Sequence, residues 1–159
     1  MKLKAIILAT GLINCIVFSA QAVDTTITVT GNVLQRTCNV PGNVDVSLGN
    51  LYVSDFPNAG SGSPWVNFDL SLTGCQNMNT VRATFSGTAD GQTYYANTGH
   101  AGGIKIEIQD RDGRNASYPN GMFKTLNVQN TNATFHLKAR AVSQGQVTPG
   151  ILSLIHLSD

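Results

Sequence analysis

A side-chain period of two recurs along this chain and constrains its fold more than any other feature. Val66-Asn-Phe-Asp-Leu-Ser-Leu72 sets Val66, Phe68, Leu70 and Leu72 on one face and Asn67, Asp69 and Ser71 on the other. Val44-Asp-Val-Ser-Leu48, Val81-Arg-Ala-Thr-Phe85, Ile104-Lys-Ile-Glu-Ile108 and Phe135-His-Leu-Lys-Ala-Arg-Ala141 repeat the device. Successive strand side chains point to opposite faces, so each segment predicts a strand with one buried and one wet face. Turn formers stand between them, among them Pro41-Gly-Asn43, Thr73-Gly74, Asp90-Gly91, Asp112-Gly113, Pro119-Asn-Gly121 and Pro149-Gly150; each suits a chain reversal. The Gly/Ser run at 60–63 is followed at once by another strand, which predicts a flexible surface loop rather than an interdomain linker. No comparable stretch beyond the first 22 residues has helical periodicity. Short strands without crossover helices predict an all-β, antiparallel sandwich of immunoglobulin type.

The first 22 residues have a different character. Lys2 and Lys4 precede an apolar run from Ala5 to Phe18, and Ala20-Gln21-Ala22 offers a small-x-small cleavage site. That is the pattern of a secretion signal. The apolar run falls short of the roughly 20 residues that span a bilayer, so the expectation is an exported, soluble protein. Removing 22 of the 159 residues leaves 137, enough for one domain. The new N-terminus, Val23 to Leu34, is itself strand-like: Ile27, Val29, Gly31 and Val33 share one face, and Thr26, Thr28 and Thr30 the other. Pairing within its own sheet is the ordinary fate of such a strand, and the pattern alone admits other uses.

Removing Lys2 and Lys4 from ten basic residues leaves eight against nine acidic ones, a net charge of −1. This balance disfavours a nucleic-acid or membrane-surface binder. Cys15 departs with the signal, so Cys38 and Cys75 remain, and an even pair in an exported chain predicts a disulfide. Catalytic and cofactor patterns are not found. His100, His136 and His156 lie in three separate segments without ligands at metal spacing. Gly99-His-Ala-Gly-Gly103 precedes a strand, not a helix, so it presents no helix N-terminus to a phosphate. Asp110-Arg-Asp-Gly113 lacks the later ligands of a calcium loop and predicts a hairpin turn. The expectation is a non-enzyme with no metal and no cofactor. Trp65, Tyr94, Tyr95 and Tyr118 could stack on sugar rings; a self-contained secreted carbohydrate-binding sandwich is therefore the alternative reading, with edge packing as the plainer account of these rings.

Taken in order, the segments resemble the fimbrial subunits of the chaperone–usher pathway, most nearly the minor tip adaptor subunits of type 1 fimbriae. The resemblance rests on Thr26-Ile-Thr-Val-Thr-Gly31, Cys38, Cys75 after strand 66–72, and Val81-Arg-Ala-Thr-Phe-Ser-Gly-Thr-Ala-Asp90. It continues through Ile104-Lys-Ile-Glu-Ile-Gln-Asp110 and Phe135-His-Leu-Lys-Ala-Arg140 to Thr148-Pro-Gly150. It implies an incomplete immunoglobulin-like sandwich lacking its final strand, with residues 1–22 as signal peptide, 23–34 as N-terminal donor-strand extension and 35–159 as pilin domain. Ile27, Val29, Gly31 and Val33 would be donor residues, and Ile151, Ser153, Ile155 and Leu157 would line the acceptor groove.

The implied partners are neighbouring pilus subunits, a periplasmic chaperone and an outer-membrane usher, and the implied location is a fimbrium on the bacterial surface, reached through the periplasm. A tip adhesin would carry a second, receptor-binding domain and no donor strand, so the expectation is an adaptor or shaft piece, with the adaptor favoured by the closeness of the resemblance. In the family the last strand closes with a tyrosine one residue from the end; here Ser158-Asp159 stand instead, which predicts weaker capture by the chaperone.

Overall fold

A computed structural model describes residues 30–32, 36–111, 114 and 116–153. The chain divides into two units, Met1–Val33 and Leu34–Asp159, and every strand among the described residues lies in the second. These strands are β1 (Thr37–Asn39), β2 (Val66–Gln76), β3 (Thr80–Thr84), β4 (Ala89–Asp90), β5 (Tyr94–Ala96), β6 (Gly102–Asp110), β7 (Phe123–Asn127) and β8 (Ala133–Thr148). Six form one antiparallel sheet in the order β1-β2-β8-β6-β5-β4, and β3 with β7 forms a second. The fold is an immunoglobulin-like sandwich that lacks a strand.

The sequence periodicity explains the larger sheet. β2 and β8 pair so that Phe68 faces Leu137 and Leu70 faces Phe135, while β6 sets Ile106 and Ile108 opposite Ala141 and Ala139. All these side chains fall on one face, because cross-strand partners share a side of the sheet. With Val81 and Phe85 from the smaller sheet's side they make the core, in which Phe85, Phe135 and Leu137 are fully buried. Phe85 stacks on Tyr118 with ring centroids 4.4 Å apart. The opposite face of the larger sheet is wet and paired: Arg111 and His136 both reach Asp69, and Arg140 reaches Glu107.

One covalent link fastens the edge of the larger sheet and one ion pair binds the two layers. Cys38 and Cys75 are disulfide-bonded, tying β1 to the end of β2. Lys124 of β7 meets Asp110 at the end of β6 (Nζ–Oδ2 2.9 Å), and the Tyr118 hydroxyl donates to the same oxygen (2.9 Å). The register of β6 on β8 slips between Gly102 and Ile104. Gly103 permits that bulge: its φ is +69°, and a Cβ there would come within 2.0 Å of the Gln146 carbonyl oxygen.

The strand expected at 44–48 differs in an instructive way. Val44, Val46 and Leu48 are half-buried and the residues between are exposed, as the alternation predicts, yet among the described residues 40–52 join no ladder. Its side chains have a core to face, but no described strand lies beside it. The Gly/Ser run is a correction: it is not a flexible loop. The Gly60 N–H donates to the Ser143 carbonyl, the Ser143 N–H to the Ser61 carbonyl and the Ser63 N–H to the Ala141 carbonyl, so the run is pinned along β8. Gly62 fits beneath Arg140 of β8, where a Cβ would lie 2.8 Å from Nη1. Asp110 ends β6 as expected, and residues 112 and 113 lie outside the described residues.

Candidate functional site: an open groove along the core

Between segment 40–46 and β3, no described strand covers the inward face of the larger sheet, and Phe68 and Leu70 there are only half-buried. Its floor is Phe68, Leu70, Ile108, Phe135 and Ala139, and the cavity above holds about 570 Å³. One wall is segment 40–46. The other is β3, whose only sheet neighbour among the described residues is β7, so its edge toward the cavity carries no ladder. A second cavity of about 660 Å³ has Phe56, Ile104 and Ile106 in its lining. The two share Val46, Ala139, Leu152 and Ser153, so they form one groove. An apolar floor between two ladder-free backbone walls is the geometry that accepts an added strand: backbone groups bond at the edges and alternate side chains drop into pockets. Among the described residues no group of three or more His, Cys, Asp or Glu could hold a metal ion.

The chain's last described residues enter this groove. The Ala101 N–H donates to the Ile151 carbonyl (3.1 Å), the Thr98 N–H to the Ser153 carbonyl (3.0 Å), and the Ser153 N–H to Asn97 Oδ1 (2.9 Å). Glycines make the contact possible: a Cβ on Gly99 would lie 2.0 Å from the Ile151 oxygen, and one on Gly150 would lie 2.3 Å from the Ala101 nitrogen. Ile151 and Ser153 both line the groove. The inward side chain at this point, however, is Leu152, which packs with Phe56, Ile104 and Ala141, while Ile151 is 69% exposed. Val147 and Leu152, five positions apart, are the residues that face in here, so the period of two in β8 does not carry through Thr148–Gly150. Ile155 and Leu157 lie outside the described residues, as do Ile27, Val29 and Val33; Gly31 is described and exposed.

The aromatic side chains do not make a sugar platform. Tyr95 and Tyr118 are buried, and the Tyr95 hydroxyl donates to the Tyr118 carbonyl (2.7 Å). Burial pushes the Tyr95 hydroxyl up to about 12. Tyr94 carries Lys105 Nζ 3.8 Å over its ring centre, and Trp65 carries both Lys138 and Arg140 over its ring. These are packing contacts of the wet sheet face. On that face the hydrogen bond from His136, with Arg111 beside it, outweighs desolvation and holds the Asp69 carboxyl below its ordinary value. His100 is exposed in the loop after β5, and His156 lies outside the described residues.

Comparison with known proteins agrees with this architecture. The family model described as "Fimbrial protein" matches residues 27–153. The chain is 93% identical over 155 residues to the S-fimbrial adhesin protein SfaS of Escherichia coli O6:K15:H31 (strain 536 / UPEC), covering 98% of this chain and 95% of that protein. It is 38% identical over 140 residues to protein FimG of Escherichia coli (strain K12), covering 85% of this chain and 83% of the relative. Among solved structures, the P pilus rod subunit PapA superposes with a TM-score of 0.61 at 17% identity, over 74% of this chain and 93% of that one. A chaperone–usher pilus subunit gives 0.57 at 18% identity, over 83% and 91%. The family match over most of the sequence and the shared sandwich lead to one conclusion: the chain belongs to the fimbrial protein family.

Proposed function

We propose that the chain is a non-enzymatic structural subunit of an adhesive fimbria, joined to its neighbours by donor-strand exchange. The observation that carries this reading is the open groove, an apolar floor bounded by two backbone walls without ladder partners. Residues 1–22 direct export to the periplasm and are removed. Residues 23–34 are the donor extension, and 35–159 the pilin domain that accepts a donor from the adjoining subunit. Ile27, Val29 and Val33 seat in the neighbour's pockets, each contributing about 1.5–3 kcal/mol on burial, and Gly31 lies where the two backbones approach most closely. Ile151, Ser153, Ile155 and Leu157 belong to the acceptor side, with Leu152 as its inward anchor at the described end.

The groove leaves Phe68 and Leu70 only half-buried, and a periplasmic chaperone covers it until the usher hands the subunit to its neighbour. Adhesion is supported by the name of the SfaS relative, and an adaptor position by the resemblance of the sequence to minor tip subunits. The test is periplasmic expression with and without a fimbrial chaperone, followed by size-exclusion chromatography. A one-to-one complex, with loss of the subunit when the chaperone is absent, is the expected result. A stable monomer without chaperone refutes the reading.

A further inference from the structure

The groove has an apolar rim that filling its floor does not account for. Tyr52, Val53 and Ile151 are 66%, 47% and 69% exposed, and all three border the cavity at the Phe56 end. We propose that this rim receives the folded body of a second copy of this chain whose strand enters the groove, which rests on the donor-strand reading above.

The rim side chains stand on rigid supports. The Tyr52 N–H donates to Asp55 Oδ2 (2.8 Å), the Asp55 N–H to the Tyr52 carbonyl (2.9 Å), and the Phe56 N–H to the Val53 carbonyl (3.1 Å). Phe56 is buried and anchors this single turn. Ile151 is fixed by its hydrogen bond from Ala101. Apolar side chains held in place by such backbone bonding lose little freedom on docking, and exposed apolar clusters mark interaction sites. A strand in the groove packs on the floor and leaves these outward side chains for something larger.

Two facts identify that larger body. The first is direction. Residue 151 lines only the Phe56-end cavity, whereas 152 and 153 line both, so the chain's own segment runs away from the rim. A donor lying antiparallel to it, the slightly more stable pairing, ends at the rim. The second is the tether. Only Leu34, Gln35 and Arg36 separate Val33 from Thr37, the start of β1; four residue steps reach at most about 14 Å. A donor strand so tethered brings its own domain against whatever borders the exit of the groove, and here that is the Tyr52–Val53–Ile151 rim.

The test compares two probes on the chain purified as its chaperone complex: a synthetic peptide of residues 23–36, and a full second copy of this chain carrying the same segment. The acceptor variants are Tyr52→Ser with Val53→Ser, and Tyr52→Phe as a conservative control; equal yields of chaperone complex show that they fold. The double variant is expected to weaken capture of the full copy on the order of 10-fold, as loss of an interface anchor does, with the peptide within about 2-fold and Tyr52→Phe unchanged. Equal losses for both probes would make the rim mere groove lining and overturn the proposal, as would no loss for either. Failure of the unmodified chain to take the peptide at all removes the donor-strand reading itself, and this proposal with it.

Discussion

Replacing Lys124 by methionine tests what holds the two sheets together. The Lys124 and Asp110 side chains are 12% and 9% exposed, and they meet at 2.9 Å across the sandwich. The pair lies well inside the protein, so loss of the cation strands a carboxylate that folding has already desolvated. Breaking a buried pair on one side costs about 3–5 kcal/mol. At a urea slope of about 2 kcal/mol/M, this lowers the unfolding midpoint by about 2 M. Trp65 is the single tryptophan and lies beside β2, so its fluorescence reports the larger sheet directly. The double variant Lys124→Met with Asp110→Leu supplies the control. Removing both charges in favour of apolar side chains of similar size is often neutral or stabilising, so the double variant should recover most of the loss. If it is as unstable as Lys124→Met alone, stranded charge is not the cause and the reasoning fails. If Lys124→Met costs less than about 1 kcal/mol, the pair behaves as a surface ion pair.

Three further outcomes follow from single contacts. Serine at both Cys38 and Cys75, a pair separated by 37 positions, should cost about 4 kcal/mol by loop-closure entropy, seen as a lower urea midpoint that reductant no longer moves. Asp69 is ionised more readily in the folded chain than its ordinary value of 3.8, chiefly through the His136 hydrogen bond. The stability it adds is therefore present above that value and is lost as pH falls through the lowered one. Asp69→Asn should flatten stability below about pH 5; an unchanged acid profile would show that the Asp69 contact adds nothing. Tyr95→Phe leaves the Tyr118 carbonyl without its 2.7 Å donor, at a cost of about 1–3 kcal/mol. Because burial raises Tyr95 to about 12, the hydroxyl's stabilising effect holds below the free value near 10 and fades as pH rises toward 12. Unfolding curves at pH 9 and pH 11 for both proteins should converge at the higher pH.

How much of this was legible in the sequence depends on whether a strand obeys its own alternation. β2, β6 and the first half of β8 do: a wet face and a core face make the period of two visible. β7 does not. In Phe123-Lys-Thr-Leu-Asn127 the half-exposed phenylalanine lies under Arg82, while the lysine turns inward to Asp110. A strand that exposes its aromatic ring and buries its charge carries no readable pattern, because the partners that reverse the preference come from β3 and β6. β4 and β5, with two and three residues, are too short for periodicity to show. The groove was legible only through family resemblance. Its walls are segment 40–46 and the edge of β3, and an absent neighbour leaves no mark on residues that merely alternate.

The uncovered core changes what the remaining contacts must do. A complete sandwich is held by continuous packing between its layers, but here the groove removes that packing along one side. The layers are then secured at separate points: the Lys124–Asp110 pair with Tyr118, and the stack of Phe85 on Tyr118. Tyr118 takes part in both and also accepts the Tyr95 hydrogen bond, which links it to β5 on the larger sheet. The far wall of the groove is held by this tyrosine and its neighbours, and β3 also begins shortly after Cys75 of the disulfide, with Met78 Sδ 3.3 Å from Cys38 Sγ. Segment 40–46, the near wall, follows that disulfide directly in sequence. Both walls thus begin beside the disulfide, and neither it nor the Tyr118 contacts depend on the groove being filled. That arrangement suits a subunit that must keep its cleft shaped while empty and then close it with a strand from elsewhere: binding energy goes into covering the floor, because the walls already stand in position.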